Sequence, residues 1–344
     1  MKALTLTAPR EFTFGEAPAP VLRDDEVLIK IAACGICGSD VHGMDGSTGR
    51  RIPPIIMGHE AAGTVVDSGA GAGAWTPGER VTFDSTLFCG KCHFCADGLV
   101  NLCEDRRVLG VSCPDYRQHG AFAEYVSVPA RVVVRIPENV SFEDACFVEP
   151  TAVALHAVNR AQAGPGQSAL VIGAGIIGLL TIQALKAAGC AKVYASDLSE
   201  ARLKLAMELG ADAIFPAKTT PDLKSSILAL TNGQGVDVAM EAVGITATVT
   251  AAIDCVRKGG HVGLIGNLSP SIQFPLQLVV TRELSLFGSC ASAGEYPQAL
   301  EEIASGRIRV GPLTSAVRPL GEGADWFQRL YDAKEDLIKV ILRP

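Results

Sequence analysis

No block of lysine or arginine occurs anywhere along the 344 residues, and a formal net charge of -7 leaves no basic field to attract phosphate backbones. Nucleic acid is therefore not an expected partner. The sequence also lacks any apolar run of about eighteen residues, the length that a bilayer-spanning helix needs. Residues Met1 to Phe12 have no apolar signal-peptide core. The chain reads as soluble and cytoplasmic, with no membrane partner. Internal repeats and low-complexity tracts are missing as well, which leaves ordinary globular domains.

With 48% apolar residues the chain can bury more than one core, and the usual size of a folding unit points to two domains of unequal length. Cysteine is plentiful at eleven residues. Without an export signal these do not suggest a disulfide framework. Four of them crowd between positions 89 and 103, which suits metal-bound thiolates better.

Up to about residue 150 the chain carries short alternating apolar runs, such as 26–31 and 121–128, punctuated by glycine and proline. That texture predicts a small, curved β domain. Residues 68–73, followed by 76–81, read as a surface loop returning into a strand. After Gly164-Pro165-Gly166 the pattern changes. Strands at 169–172 and 192–195 flank a helix over 176–188, the βαβ rhythm of a parallel sheet. Further strands are predicted at 213–215, 236–240, 261–265 and 284–287, with helices over 200–209 and 245–257. The fold class is α/β: a β-rich domain and a doubly wound, nucleotide-binding parallel sheet. The closing stretch, with a helix over 295–305, is expected to pack back on the first domain.

Gly173-Ala174-Gly175-Ile176-Ile177-Gly178 directly follows one of these strands and opens a helix, and Asp197 ends the next strand about twenty residues later. The first glycine permits a tight turn, the second admits a pyrophosphate to the backbone, and the third lets helix and strand pack. The helix N-terminus then faces the phosphates. Glycine turns also arise for packing alone, but strand, helix and acid together specify a dinucleotide. Asp197 can accept hydrogen bonds from both adenosine ribose hydroxyls and would repel a 2′-phosphate, so NAD is expected rather than NADP. Arg202, one helical turn on, either stacks beside the adenine and holds the ribose or is a solvated helix charge.

Cys89, Cys92, Cys95 and Cys103 put four thiols in one short loop. Four thiolates make a closed tetrahedral zinc site that holds the loop and leaves no position for substrate. Lys91, Asp97 and Asn101 among them argue against a merely buried set, and His93 is read as a loop residue. A second set is dispersed: Cys37, His59 and Glu60 in Gly58-His59-Glu60-Ala61-Ala62-Gly63, and Glu149 before Pro150. Mixed sulfur, nitrogen and oxygen ligands from distant segments suit a catalytic metal with three protein ligands and an open position. Singly these residues mean little; the combination carries the reading.

Gly58-His59-Glu60 with Gly63 and Gly69, the four-cysteine loop, the Gly173 to Gly178 motif and Asp197 together resemble the zinc-containing medium-chain alcohol dehydrogenases, in an order and spacing that match over nearly the whole chain. The resemblance implies a GroES-like catalytic domain of residues 1–154 and 291–344, a Rossmann NAD-binding domain of residues 155–290, and a cleft holding the catalytic zinc. It implies two zinc ions per chain, one catalytic and one structural, and a homodimer or homotetramer formed through the edge of the nucleotide-binding sheet. By position, Cys37, His59 and Glu60 match the family's cysteine ligand, its histidine ligand and the acid beside that histidine. Where many alcohol dehydrogenases have a second cysteine ligand, this chain has Glu149-Pro150, which is similar to the sorbitol, galactitol-phosphate and related polyol dehydrogenases. Whether Glu60 or Glu149 binds zinc directly or through water stays open.

The resemblance further implies that Ser39 and His42 form a proton relay to solvent, with Asp40 an orienting partner, while zinc as a Lewis acid lowers the pKa of the alcohol. It sets Ile177, Ile265-Gly266-Asn267 and Ser289-Cys290-Ala291 against the nicotinamide half of the cofactor. Animal-type sorbitol dehydrogenases carry an Arg-Tyr pair at or just after this last turn; here stands Cys290-Ala291-Ser292, which counts against sorbitol itself. The expected activity is oxidation of a secondary alcohol of a polyol or sugar alcohol, with hydride transfer to NAD. L-threonine 3-dehydrogenase, whose relatives usually have Asp-Pro at this Glu149-Pro150, and a general secondary-alcohol dehydrogenase are the alternatives. A non-catalytic NAD- or zinc-binding relative should have lost ligands that are all present here.

Overall fold

The computed structural model describes residues 1–344. The chain divides into two compact units, Met1–Glu149 with Tyr296–Ser305 and Val310–Pro344, and Pro150–Glu295 with Gly306–Arg309.

Alternation of side chains governs the first unit. Along the strand Glu26–Gly35, Val27, Ile29, Ile31 and Ala33 are buried while Lys30 faces water, the period of two that a one-sided sheet requires. This strand is the spine of a seven-stranded sheet whose order is Val133–Arg135, Arg80–Phe83, Glu60–Ser68, Glu26–Gly35, Lys339–Arg343 and Thr314–Pro319, with Tyr125–Pro129 paired to the spine as well. Its neighbours run antiparallel to it. Gly63 is dictated by the close pairing with the spine, since a Cβ there would lie 2.0 Å from the carbonyl oxygen of Lys30. A smaller sheet of Glu11–Glu16, Lys2–Ala8 and Ile55–Ile56 covers the same core. At the centre of that core, Phe327 from the helix Gly323–Asp332 stacks on Phe12 at 4.7 Å and meets Phe122 edge-on at 5.6 Å.

The second unit is a six-stranded parallel sheet, ordered Ala213–Pro216, Lys192–Asp197, Ser168–Ile172, Val236–Glu241, Val256–Leu264, Ser285–Gly288. Parallel strands are covered on both faces, and Ala169 to Ile172 are accordingly all buried. The helices Ile176–Ala187, Glu200–Glu208, Leu223–Leu230 and Thr246–Cys255 connect the strands. Strand order reverses beside Ser168–Ile172, the switch point where doubly wound sheets bind their ligands. This is the Rossmann arrangement.

Three local expectations change. Of the predicted strand 121–128, only Tyr125–Pro129 forms a regular ladder; Phe122 instead uses its carbonyl to accept from Leu4 N at 2.8 Å. Residues 256 and 257, assigned to a helix, begin the strand Val256–Leu264, which is longer than the predicted 261–265. The helices Leu223–Leu230, Leu276–Thr281 and Gly323–Asp332 are additional to those predicted; the first is capped by Asp222, which accepts from Ser225 N at 2.9 Å, and the last is amphipathic, burying Trp326 and Phe327. No helix is long and apolar enough to cross a membrane.

Replacing Phe327, fully buried between two aromatic rings, by alanine is expected to destabilise the first unit by about 3–5 kcal/mol. Urea unfolding followed by fluorescence checks this, and a loss below about 1 kcal/mol would contradict the packing described.

Candidate functional site

Backbone register brings the first group of side chains together. Gly35 pairs with Glu60 on one side and Ile341 on the other, so three strands converge. Gly35 also makes room, because a Cβ there would lie 2.6 Å from Glu60 Oε2 and 3.3 Å from Lys339 Cδ. In that space Lys339 Nζ donates to Glu60 Oε2 and, at 3.2 Å, to the carbonyl of Ile36. Both side chains are 1% exposed. Burial disfavours the lysine charge, yet Glu60 and Cys37 raise its pKa above the ordinary value. Glu60 Oε1, equally buried, has no hydrogen-bond partner.

A second buried pair lies beside it. Cys37 caps the short helix Gly38–Gly43, its Sγ accepting from Ser39 N at 3.5 Å and Ser39 Oγ at 3.3 Å. Asp40, fully buried in that helix, accepts from Arg51 Nε at 3.0 Å and Nη2 at 2.7 Å. Gly43 admits the arginine, since its Cβ would meet Arg51 Cγ at 2.6 Å. The other carboxylate oxygen of Asp40 faces His59 Nδ1 at 3.5 Å. Burial works against the Asp40 charge, but His59 and Arg51 hold its pKa down at about 2. Burial likewise works against the imidazolium, and Asp40 and Cys37 overcome it, raising His59 well above the usual histidine range.

Cys37 Sγ, a ring nitrogen of His59 and a carboxylate oxygen of Glu60 lie within 4.8 Å of one another. Glu149, in the first turn of the helix Val148–Arg160, is not one of this trio but feels it: burial raises its carboxyl to about 7, with His59 pulling it down and Glu60 pushing it up. A sulfur, a nitrogen and an oxygen donor converge here, and the partnerless carboxylate oxygen would pay a desolvation penalty alone. Such a set fits a zinc-type divalent ion. Ser39 and His42 are both exposed, three residues apart and hence on one face of their helix. Ser39 Oγ also accepts from Arg51 Nη2 at 3.3 Å.

The four loop cysteines form their own cluster, with all four sulfurs within 4.8 Å of one another. Cys89 Sγ accepts from the backbone N–H groups of Lys91 at 3.4 Å and Cys92 at 3.3 Å, which hold its thiol down at about 6. Cys103 Sγ accepts from Cys89 N at 3.2 Å. Backbone donors aimed at sulfur favour the thiolate, the form that binds metal. His93 lies on the loop surface, 3.6 Å from Glu104 and against Phe94.

The second unit carries the glycine motif at its switch point. Gly173 has φ +94, and Gly178 is required by contact: its Cβ would lie 1.7 Å from the carbonyl oxygen of Gly173. Nothing lies within 4 Å of a Cβ on Gly175, which stands open at the N-terminus of the helix Ile176–Ala187, with Ile177 half-exposed in its first turn. Asp197 accepts from Ala174 N at 2.6 Å and Ser199 N at 2.8 Å, so it anchors the glycine loop from the neighbouring strand. Arg202 lies in the first turn of the helix Glu200–Glu208 with its Nε buried and partnerless. Across the switch point, Ile265 N and Gly266 N donate to the Glu241 carbonyl at 2.8 and 3.0 Å, while Asn267 is exposed. Ser289 N donates to Leu264 O at 3.0 Å, Cys290 is exposed, and Ala291 takes φ +52.

Lys339, Arg51, Gly35, Gly43 and Glu241 are the residues that motif reasoning passed over. Glu241 is fully buried and its carboxylate takes the N–H groups of Val243 and Gly244, shaping the loop opposite Gly173. One signal was available: a glycine such as Gly35 ending an apolar strand marks close approach of something large.

The chain is similar to known proteins along its whole length. A zinc-binding dehydrogenase family model matches residues 177–305, and an alcohol dehydrogenase GroES-like domain model matches residues 23–138. Sorbitol dehydrogenase of Bacillus subtilis strain 168 is 34% identical, over 100% of this chain and 97% of its own. Among solved structures, galactitol-1-phosphate dehydrogenase from Escherichia coli superposes with a TM-score of 0.92 at 28% identity over 100% of both chains. A zinc-binding dehydrogenase from Sinorhizobium meliloti 1021, solved with NADP bound, gives a TM-score of 0.90 at 31% identity over 100% of this chain and 99% of its own. With both halves matched by their family models and full-length relatives above 30% identity, the chain belongs to the zinc-binding alcohol dehydrogenases and is an enzyme of that family.

Proposed function

We propose that this enzyme oxidises a secondary alcohol of a polyol or sugar alcohol to the ketone, passing hydride to NAD, with a catalytic zinc held by Cys37, His59 and Glu60 and a structural zinc held by Cys89, Cys92, Cys95 and Cys103. The observation that carries the reading is the buried, partnerless Oε1 of Glu60 in a trio with Cys37 and His59. It favours Glu60 as the direct ligand and leaves Glu149 to act through water. The polyol class is supported by Glu149-Pro150 and by the sorbitol and galactitol-1-phosphate dehydrogenases among its relatives. Cys290-Ala291-Ser292 supports a polyol other than sorbitol. In the same reading, residues 1–154 and 291–344 are the catalytic domain and 155–290 the NAD-binding domain.

Bound at these positions, zinc supplies Lewis acidity toward the alcohol oxygen and NAD supplies the hydride acceptor. The chain's own residues do the rest. Asp40, pinned by Arg51, faces Nδ1 of His59 and so turns the other ring nitrogen toward the trio. Ser39 Oγ accepts the substrate's hydroxyl proton as it passes its own proton on toward His42, on the same exposed helix face, which releases it to solvent. Gly175 keeps the helix N-terminus open to pyrophosphate. Asp197 holds its carboxylate beside that loop, where it accepts ribose hydroxyls and repels a 2′-phosphate; this supports NAD even though one relative binds NADP. Cys290 and Ala291, on the turn with φ +52, with Ile177 and Ile265 bound the nicotinamide side. The strand Ser285–Gly288 ends its sheet with one edge unpaired, and Leu276 and Val280 nearby in sequence are exposed, which supports a homodimer or homotetramer.

NADH formation at 340 nm is expected with C4 to C6 polyols, and slower or absent with NADP. Activity on primary alcohols or threonine alone would sink the polyol reading, and equal rates with both cofactors would sink the role given to Asp197. Metal analysis should find two zinc ions per chain, falling to one in Cys92→Ser with a lowered melting temperature; two in that variant would refute the structural site.

The pH dependence follows from Glu149. In metal-free protein its carboxyl, raised by burial from 4.5 to about 7, binds a proton that the unfolded chain has already released. The stability this contributes is full below the unfolded value and is lost as pH rises through the folded one. Metal-free Glu149→Gln is therefore expected to keep more of its melting temperature between about pH 5 and about pH 8 than metal-free wild type does. Parallel melting curves across that range would contradict the assignment.

A further inference from the structure

We propose that Lys339 is a positioning residue that sets the affinity and geometry of the metal site by holding Glu60 to one donor oxygen; this rests on the metal reading above. Lys339 enters from the strand Lys339–Arg343, 279 residues away from Glu60 along the sequence. Its ammonium occupies Oε2 and leaves Oε1 as the only oxygen free to meet an ion. A carboxylate so clamped cannot rotate about its terminal bond or chelate through both oxygens.

The same ammonium donates at 3.2 Å to the carbonyl of Ile36, the residue before Cys37. One group therefore ties two members of the trio to a common point. With both partners 1% exposed, water does not compete for either bond. Lys339 also offsets charge. Lys339 is the cation directly bonded to the buried carboxylate of Glu60. Gly35 is the steric licence for the arrangement, because any side chain at that position would strike Glu60 Oε2 and the lysine stem.

Groups of this kind, one bond behind the ligands, typically change metal affinity by about 10- to 100-fold when removed. Lys339→Met keeps the stem and deletes the charge. The full-length, zinc-loaded variant is expected to lose one of its two zinc ions to a chelator about 10-fold faster or more than wild type, while the four-cysteine zinc stays. That retained ion, with far-UV circular dichroism, reports that the protein is folded. With cobalt exchanged into the site, the thiolate-to-metal absorption of Cys37 should shift. Gly35→Ala, which displaces Glu60 Oε2 without deleting a buried charge, should speed loss of the same ion and serves where Lys339→Met does not fold. If Lys339 acts through Glu60, adding Lys339→Met to Glu60→Gln should cause little further loss. Wild-type retention and unchanged cobalt absorption in folded Lys339→Met, or effects of the two substitutions that simply multiply, would overturn the proposal. A wild-type protein that binds zinc only at the four cysteines would overturn the metal reading itself, an outcome distinct from two retained ions in the variant.

Discussion

A carboxylate buried in a β core must be met by a cation or by hydrogen-bond donors. Asp40 and Glu60 are both nearly inaccessible, and each has its own cation, Arg51 and Lys339. The surrounding architecture is organised to deliver those cations. Gly43 yields space to one and Gly35 to the other, and the sheet brings a late strand beside the spine so that Lys339 meets Glu60. What the pairs do not satisfy is as informative as what they do: one oxygen of Glu60 has no partner, and His59, with Nδ1 facing Asp40, leaves its other ring nitrogen on the side away from that acid. The polar balance of the core thus leaves one buried carboxylate oxygen unmatched, which is the feature on which the proposed metal site rests.

The two cysteine-bearing sites solve different problems. In the four-cysteine loop the sulfurs come from one short segment and the backbone supplies donors to them. The Cys37 site instead draws on segments far apart, and its ligands are fixed by neighbours rather than by a loop. Closed and local suits holding structure; open and dispersed suits chemistry on a substrate.

Much of this was legible in the sequence because the requirements were local. Gly178 is imposed by contact with Gly173 in the same strand-to-helix turn, and the four cysteines fall within fifteen residues of one another. The strands at 169–172, 192–195 and 213–215 were readable because parallel strands are continuous apolar runs. Lys339 and Arg51 were not readable. A lysine in Ile338-Lys339-Val340-Ile341 looks like a residue facing solvent on a half-exposed strand, and nothing within several residues says otherwise. Its partner is set by register between strands, which sequence periodicity does not specify. The short helix Leu276–Thr281 escaped for a related reason, being held by neighbours rather than by its own caps.

The separation between Glu60 and Lys339 also bears on synthesis. The whole second unit lies between them in the chain, so a ribosome must complete that unit before the lysine exists. Until then Glu60 has no Lys339 to meet it, and the central sheet of the first unit lacks the two strands, Thr314–Pro319 and Lys339–Arg343, that follow the second unit. The first unit encoded is therefore the last to receive all of its residues.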